Sequence, residues 1–324
     1  MFDKINSLLI TGGSGSLGIK LVQVLLEKNN IEKIVVLSRN EKAQYMLKKR
    51  IEEQFGAGAL PKVKCILGDI RDAEKVNLIV KDVNFVIHAA ALKHIVIGEE
   101  QPEEFVKTNV LGTLNVVNSC TYYDKKMLFI STDKACMPTN MYGMSKALAE
   151  RIVTNAGFIC VRYGNVAGSN GSVIPFFLNL IRHGKMLPVT DLNMTRFFLT
   201  LGDAVDLIFE AMRVCEPGDI LIKKAHSLKI IDLAKYMGKR YGNNDDYPVR
   251  IVGLQTFGEK IHEILIAPHE VSRTIDLGSY YKVCSPKVRI ENAVLNIPYS
   301  SEKIAENSEL ELENLFNRLG EITF

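Results

Sequence analysis

Short runs of aliphatic and β-branched residues alternate with longer stretches of helical period through the first half of the chain. The runs Leu8–Thr11, Ile34–Leu37, Val63–Leu67, Phe85–Ala89, Leu128–Ser131 and Phe158–Val161 are apolar and end in polar or glycine-rich turns. That is the pattern of strands covered on both faces. Between them, Gly18–Lys28, Glu41–Phe55, Ala73–Lys81, Glu103–Tyr122 and Met141–Asn155 carry helical spacing. Strand and helix in regular alternation predict an α/β fold built on a parallel sheet.

After Arg162 the rhythm breaks at Gly164, Gly168, Gly171, Pro175, Gly184 and Pro188, while Ile174–Arg182 and Asp203–Arg213 still read as helices. A short run at Asp219–Ile222 is expected to return to the main sheet. The expected division is therefore 1–162, with returning segments near 200–222, and a smaller C-terminal subdomain over 163–324. A chain of 324 residues suits about two such units. The acidic stretch Ser301–Leu319 reads as a packed surface helix.

Composition narrows the class. With 47% hydrophobic and 24% charged residues the chain is of ordinary globular make-up. Forty Lys and Arg against 37 Asp and Glu leave a formal charge of +3, too small and too evenly spread for a nucleic-acid surface. No apolar run is long enough to suggest a membrane span, and Met1–Ile10 lacks the pattern of a secretory leader, so a cytoplasmic location is expected. Cys65, Cys120, Cys136, Cys160, Cys215 and Cys284 show neither metal-ligand spacing nor a disulfide framework. His88, His94 and His262 have no second ligand at a suitable spacing, so no metal is expected and His88 reads as a packing residue.

The first strand runs directly into Thr11-Gly12-Gly13-Ser14-Gly15-Ser16-Leu17-Gly18, which opens the first helix. Glycines at 12, 15 and 18 suit a tight turn, close approach of a pyrophosphate and close helix packing, with the helix N-terminus attracting the anion. This placement predicts a dinucleotide held by Gly12, Ser14, Gly15, Ser16, Leu17 and Gly18 on a doubly wound, Rossmann-type sheet. At the tip of the second strand, Ser38-Arg39-Asn40 and then Lys42 replace the acidic residue that would bind a ribose 2′-hydroxyl. A guanidinium and a hydroxyl there favour NADP over NAD. Asp69, followed by Ile70 after the third strand, is a candidate acceptor for the adenine amino group, or else a helix cap.

Ser131-Thr132-Asp133-Lys134 closes the fifth strand, and Tyr142-x-x-x-Lys146 lies on the following helix. The i, i+4 spacing puts phenol and amine on one face, where a neighbouring cation is expected to lower the phenol pKa and make Tyr142 a base toward a sugar hydroxyl.

These motifs together resemble the extended short-chain dehydrogenase/reductase superfamily. Seven blocks narrow the resemblance to the configuration-inverting UDP-N-acetylglucosamine 4,6-dehydratases: His88–His94, Lys107–Thr113, Ser131–Ala135, Arg162–Val166, Gly171–Phe177, Thr190-Asp191 with Met194–Phe197, and Gly258–Glu263. The resemblance implies a hydro-lyase that removes water from a UDP-sugar while bound NADP borrows a hydride and returns it. It assigns Tyr142 to the proton of the sugar 4-hydroxyl, Lys134 to C5 as base and Asp133 to the departing 6-hydroxyl as acid, with Thr132 orienting hydroxyls. Lys134 would then need a pKa depressed by burial beside cations such as Lys93, and Asp133 a raised one. Ala89, Ala90, Lys93, Asn109, Tyr142 and Lys146 are carried over to the cofactor. Lys93, Asn165, Val166, Thr190, Met194, Arg196 and Glu263 are carried over to the substrate. A homo-oligomer is also implied.

Asn170 and Thr256-Phe257 depart from the arginine and Arg-Pro that the family carries there, which points to altered contacts with the pyrophosphate. Two other readings stay open: a nucleotide-sugar 4-epimerase, which has no use for the Asp133-Lys134 acid and base, and a non-catalytic NADP-binding sensor or scaffold.

Overall fold

The computed structural model describes residues 5–28, 31–169, 171–254, 258–288, 295–304 and 308–320. Asn170, Thr256 and Phe257, where the departures from the family pattern fall, lie outside the described residues.

The chain runs β1 (Ser7–Thr11), α1 (Ser16–Lys28), β2 (Lys33–Ser38), α2 (Glu41–Phe55), β3 (Val63–Leu67), α3 (Ala73–Lys81) and β4 (Phe85–His88). A broken helical run follows: α4 (Ile95–Glu100), α5 (Pro102–Phe105), a π-turn at Val106–Leu111, and α6 (Gly112–Tyr122). Then come β5 (Lys126–Ile130), α7 (Met141–Asn155), β6 (Ile159–Arg162), β7 (Asn165–Val166), α8 (Val173–Arg182), β8 (Leu187–Val189), β9 (Thr195–Leu199), α9 (Leu201–Val214) and β10 (Ile220–Lys223). The remainder is β11 (His226–Lys229), α10 (Ile230–Gly242), β12 (Val249–Ile251), β13 (Ile264–Ile266), β14 (Thr274–Asp276), β15 (Tyr280–Val283), β16 (Tyr299–Ser300) and α11 (Ser308–Leu319).

The main sheet has the order β14-β15-β10-β6-β5-β4-β1-β2-β3. Its β3 to β6 portion and β10 are parallel, whereas β15 and β14 are antiparallel. Strand order reverses between β1 and β4, and in such sheets a crevice opens at the carboxyl ends of the strands at that point.

Alternation along the strands builds a core on each face. Leu8, Ile10, Ile34, Val36, Phe85 and Ile87 pack with α1, α2 and α9, while Leu9, Val35, Leu37, Val86 and Phe129 pack with α3, α6 and α7. A third core joins Ile174, Phe177, Leu187, Met194, Phe198, Met237 and Phe316 beneath the smaller sheets β11-β9-β7 and β12-β8.

The expected single helix over 103–122 is interrupted. The π-turn, a feature that recurs at functional positions, carries Asn109 inward. At the C-terminal end, Ser301–Ile304 is a 3₁₀ turn and α11 starts at Ser308, with Leu312, Leu315 and Phe316 buried. Beyond the expected return at β10, β15 and β14 also join the main sheet.

Candidate active site

The turn after β1 is shaped at three glycines for three different reasons. Gly12 has φ +69°, donates its N–H to Leu37 O at 2.8 Å, and a Cβ there would lie 2.9 Å from the Ala90 backbone. At Gly18 a Cβ would lie 2.4 Å from Gly13 Cα, so helix and turn touch backbone to backbone. Above Gly15 only Gly12 O comes near, at 3.3 Å, and the space toward the crevice stays open. No acidic side chain occupies the first turn of α1. The positive dipole end of α1 thus meets an open space, which fits a pyrophosphate.

One crevice of about 590 Å³ brings the sequence-predicted residues together. Gly12, Ser14, Gly15, Ser16, Leu17, Gly18, Ser38, Arg39, Asn40, Asp69, Ile70, Ala89, Ala90 and Lys93 line its nucleotide half. Thr132, Lys134, Tyr142, Lys146, Asn165 and Val166 line the other. Thr108 also lines it and carries a buried hydroxyl oxygen with no partner among the described residues. That oxygen suits a polar ligand edge.

Several expected contacts are otherwise engaged. Lys42 is exposed on α2 and does not reach the crevice wall. Asn40 caps α2 by accepting from Ala43 N at 2.9 Å. Asp69 accepts from Arg71 N at 2.9 Å and Arg71 Nε at 2.8 Å and pairs with Arg39 at 3.5 Å. It therefore serves as a counter-ion to both guanidinium groups, and its remaining lone pairs stay on the crevice wall. Asn109, buried in the π-turn, accepts from Leu92 N and donates to Leu92 O and Ser145 Oγ. It pins the loop beside the crevice and does not itself line the wall.

Met194 is 3% exposed within the third core, and Arg196, 6% exposed, donates to Thr195 O and Ile261 O. Neither lines the crevice, nor do Thr190 and Glu263. Motif position placed these residues near the substrate, but packing turns Met194 and Arg196 inward.

His88 is fully buried, between Thr11 Oγ1 at 2.6 Å and Thr113 Oγ1 at 2.9 Å. Thr113 donates onward to Asn109 O and Thr11 accepts from Ala90 N, so the hydroxyl hydrogens fix the ring as the neutral Nε2–H tautomer. Burial, with Lys146 nearby, takes its pKa down to about 3.

The expectation for Tyr142 needs correction. Burial raises its pKa, and the groups that oppose the rise are the Lys134 ammonium and the Thr132 hydroxyl, not Lys146. Lys146 donates to Ile130 O at 2.6 Å and sits 3.8 Å above the Phe129 ring. Burial carries its own pKa down to about 7, against the pull of Cys160 and Glu150.

Lys134 also departs from expectation. Burial disfavours its charge, but Asp133 at 3.1 Å and Glu263 at 3.4 Å outweigh that effect and Arg196, so its pKa lies above the ordinary lysine value and it is an ammonium. Asp133 agrees with expectation: burial raises its pKa, with Glu263 adding and Lys134 opposing. Its side chain is wholly buried, one layer beneath the wall. Oδ1 meets Lys134 and Thr132, and Oδ2 has no hydrogen-bond partner among the described residues. Gly164 covers Oδ2, and a Cβ there would lie 3.2 Å from it. Sequence reading missed Gly164. Its one available signal was the glycine inside Arg162-Tyr163-Gly164-Asn165.

A strand-turn-helix nucleotide cradle opposite a Tyr142/Lys146 pair defines a site of the short-chain dehydrogenase/reductase type. The chain belongs to the family described as polysaccharide biosynthesis protein, whose pattern matches residues 8–285. It is 40% identical over 89% of its length, and 85% of the relative's, to a UDP-N-acetylglucosamine 4,6-dehydratase (inverting) of Campylobacter jejuni. It is 38% identical to a UDP-glucose 4-epimerase of Rickettsia canadensis over 86% of its own length and 82% of the relative's. The solved structure of Pen from Bacillus thuringiensis is similar at TM-score 0.90 and 32% identity, covering 98% of this chain and 99% of that one.

Proposed function

We propose that this protein is an NADP-dependent hydro-lyase that removes water from UDP-N-acetylglucosamine with inversion at C5, giving a UDP-4-keto-6-deoxy-hexosamine. The observation that carries the reading is the Asp133-Lys134 couple, 3.1 Å from oxygen to nitrogen, in which Lys134 lines the same crevice as Tyr142 and Asp133 lies buried directly behind it. A 4-epimerase would have no step for that couple.

When bound, NADP supplies a reversible acceptor for the hydride at C4. Ser14 to Gly18 would hold its pyrophosphate, and Ser38 and Arg39 its 2′-phosphate. Gln44 Nε2 donates to Ser38 Oγ at 2.9 Å, which leaves the Ser38 hydrogen free to reach a phosphate oxygen. Lys146, held by Ile130 O, would face the ribose.

On the substrate side, Tyr142 would first release its own phenol proton to solvent, and the phenolate would then accept the proton of the 4-hydroxyl as the C4 ketone forms; that ketone acidifies C5–H. The couple then carries one transferable proton. Moved from Lys134 Nζ to Asp133 Oδ1, it leaves a neutral amine beside a carboxylic acid, the base and the acid that loss of water requires. Lys134 takes the C5 proton, the C6–O bond breaks, and Asp133 gives its proton to the departing oxygen. The products of this step are a C5–C6 double bond, water and the original ion pair. Burial of Asp133 makes the ion pair costly to hold and so brings the neutral form within reach. Lys93, Asn165 and Val166 are the wall residues that would meet the rest of the sugar nucleotide.

A homo-oligomer in the cytoplasm accords with the family resemblance and with the expectations from composition. The deciding experiment is NMR and mass analysis of the product formed from UDP-N-acetylglucosamine in deuterated water. Loss of water with deuterium at an inverted C5 is expected, and Lys134→Ala should abolish that deuterium uptake. The epimerase reading rests on the relatives that carry that name. An isobaric isomer without C5 deuterium would replace the dehydratase reading with it.

A further inference from the structure

Glu263 does not line the crevice, yet its carboxylate is 2% exposed and aimed at the catalytic couple. Its Oε1 lies 3.4 Å from Lys134 Nζ and 3.8 Å from Arg196 Nε, and its Oε2 lies 3.5 Å from Lys260 Nζ. The geometry around it is fixed from several directions. Arg196 is tied to two carbonyls and to Glu259 at 3.6 Å, Lys260 donates to Cys136 O at 2.7 Å, and the Glu263 backbone exchanges hydrogen bonds with Ser301.

The two carboxylates that share Lys134 therefore sit in unequal fields. Glu263 faces three cations, Lys134, Arg196 and Lys260, whereas Asp133 faces Lys134 alone together with the negative charge of Glu263. Tyr142 feels Lys134, Asp133 and Glu263 together. When two carboxylates compete for one proton, the one with fewer cations takes it. Asp133 is accordingly the group that can carry a proton, and Glu263 stays ionised as the counter-charge.

We infer that Glu263 is a positioning residue whose fixed negative charge keeps the transferable proton on the Asp133-Lys134 couple through the working pH range. The inference rests on the dehydratase reading for its chemistry, but the charge arrangement can be measured without substrate. Remove the charge, and both Asp133 and Lys134 release their protons at lower pH. The phenol of Tyr142 moves the same way.

Glu263→Gln should thus displace both limbs of the kcat/KM profile toward acid by about one pH unit, the scale set by one charge within about 4–6 Å. Glu263→Asp, which keeps the charge, should restore much of the original position. Lys260→Met removes a cation from Glu263 and should displace the profile toward alkali. The paired measurement is a ¹³C-lysine NMR titration of the full-length protein without substrate, with the Lys134 signal assigned by its loss in Lys134→Gln. Its midpoint should fall in Glu263→Gln and rise in Lys260→Met.

A lower rate with an unmoved profile and an unmoved Lys134 midpoint would make Glu263 merely structural and overturn the inference. If Glu263→Gln does not fold, an unmoved Lys134 midpoint in Lys260→Met overturns it alone. Failure of the dehydratase reading would instead appear in the product of the unaltered protein.

Discussion

Two buried charge clusters flank the β5–β6 end of the sheet, and they differ in completeness. In one, Arg162 donates to Glu150 Oε1 at 2.5 Å and Oε2 at 3.1 Å, to Glu270 Oε2 at 2.7 Å and Oε1 at 3.0 Å, and to Leu265 O at 2.8 Å. Ser131 and Ala267 add donors to the same carboxylates. Every carboxylate oxygen there is engaged. In the other, Asp133 Oδ2 and Glu263 Oε2 are buried with no hydrogen-bond partner among the described residues. A saturated ionic cluster fixes a fold, whereas an unsaturated one retains capacity to bind or move a proton.

The comparison is broken most forcefully at Arg162. Arg162→Met leaves Glu150 buried without its guanidinium partner and Glu270 with Arg273 alone, and should cost about 3–5 kcal/mol of stability, read from denaturant midpoints. Asp133→Asn should do the reverse: stability within about 1 kcal/mol of the parent, but turnover lower by about 10²–10⁴-fold in a direct assay of water loss. If Asp133→Asn instead loses stability and keeps its turnover, the contrast between the clusters fails.

A smaller, graded effect comes with pH. Burial would raise the pKa of Glu270, but Arg162 and the Ala267 N–H outweigh it and hold it down to about 2. A carboxylate depressed on folding stabilises the protein above the unfolded value, near 4.3, and loses that contribution as pH falls toward 2. Chemical denaturation between pH 5 and about 2 should show this decline, and Glu270→Gln should flatten it.

Much of the scaffold is legible in the chain because burial on both faces writes an unbroken apolar signature. The bounds expected for β3, α2, α3 and α7 coincide with those observed. By contrast, β14 and β15 read as Thr-Ile-Asp and Tyr-Tyr-Lys-Val, and most of their residues are only half-buried at the sheet margin, so no apolar run announces them. The spacing of Tyr142 and Lys146 points to the crevice that both of them line. Charge state is another matter: Glu263, which joins Asp133 in holding Lys134 as an ammonium, approaches only through the tertiary fold. For the same reason helical spacing predicted a Tyr142–Lys146 influence that Ile130 O and the Phe129 ring divert.

The pairing of Arg162 with Glu270 has a consequence for the order in which the molecule can be assembled. On a growing polypeptide the cation at the end of β6 exists long before its second carboxylate has been synthesised. A nascent chain ending near Arg162 holds a guanidinium with one of its two counter-ions, and a sheet margin still awaiting β10, β15 and β14. The buried cluster at that margin is therefore complete only once the segment that follows Ala267 has emerged.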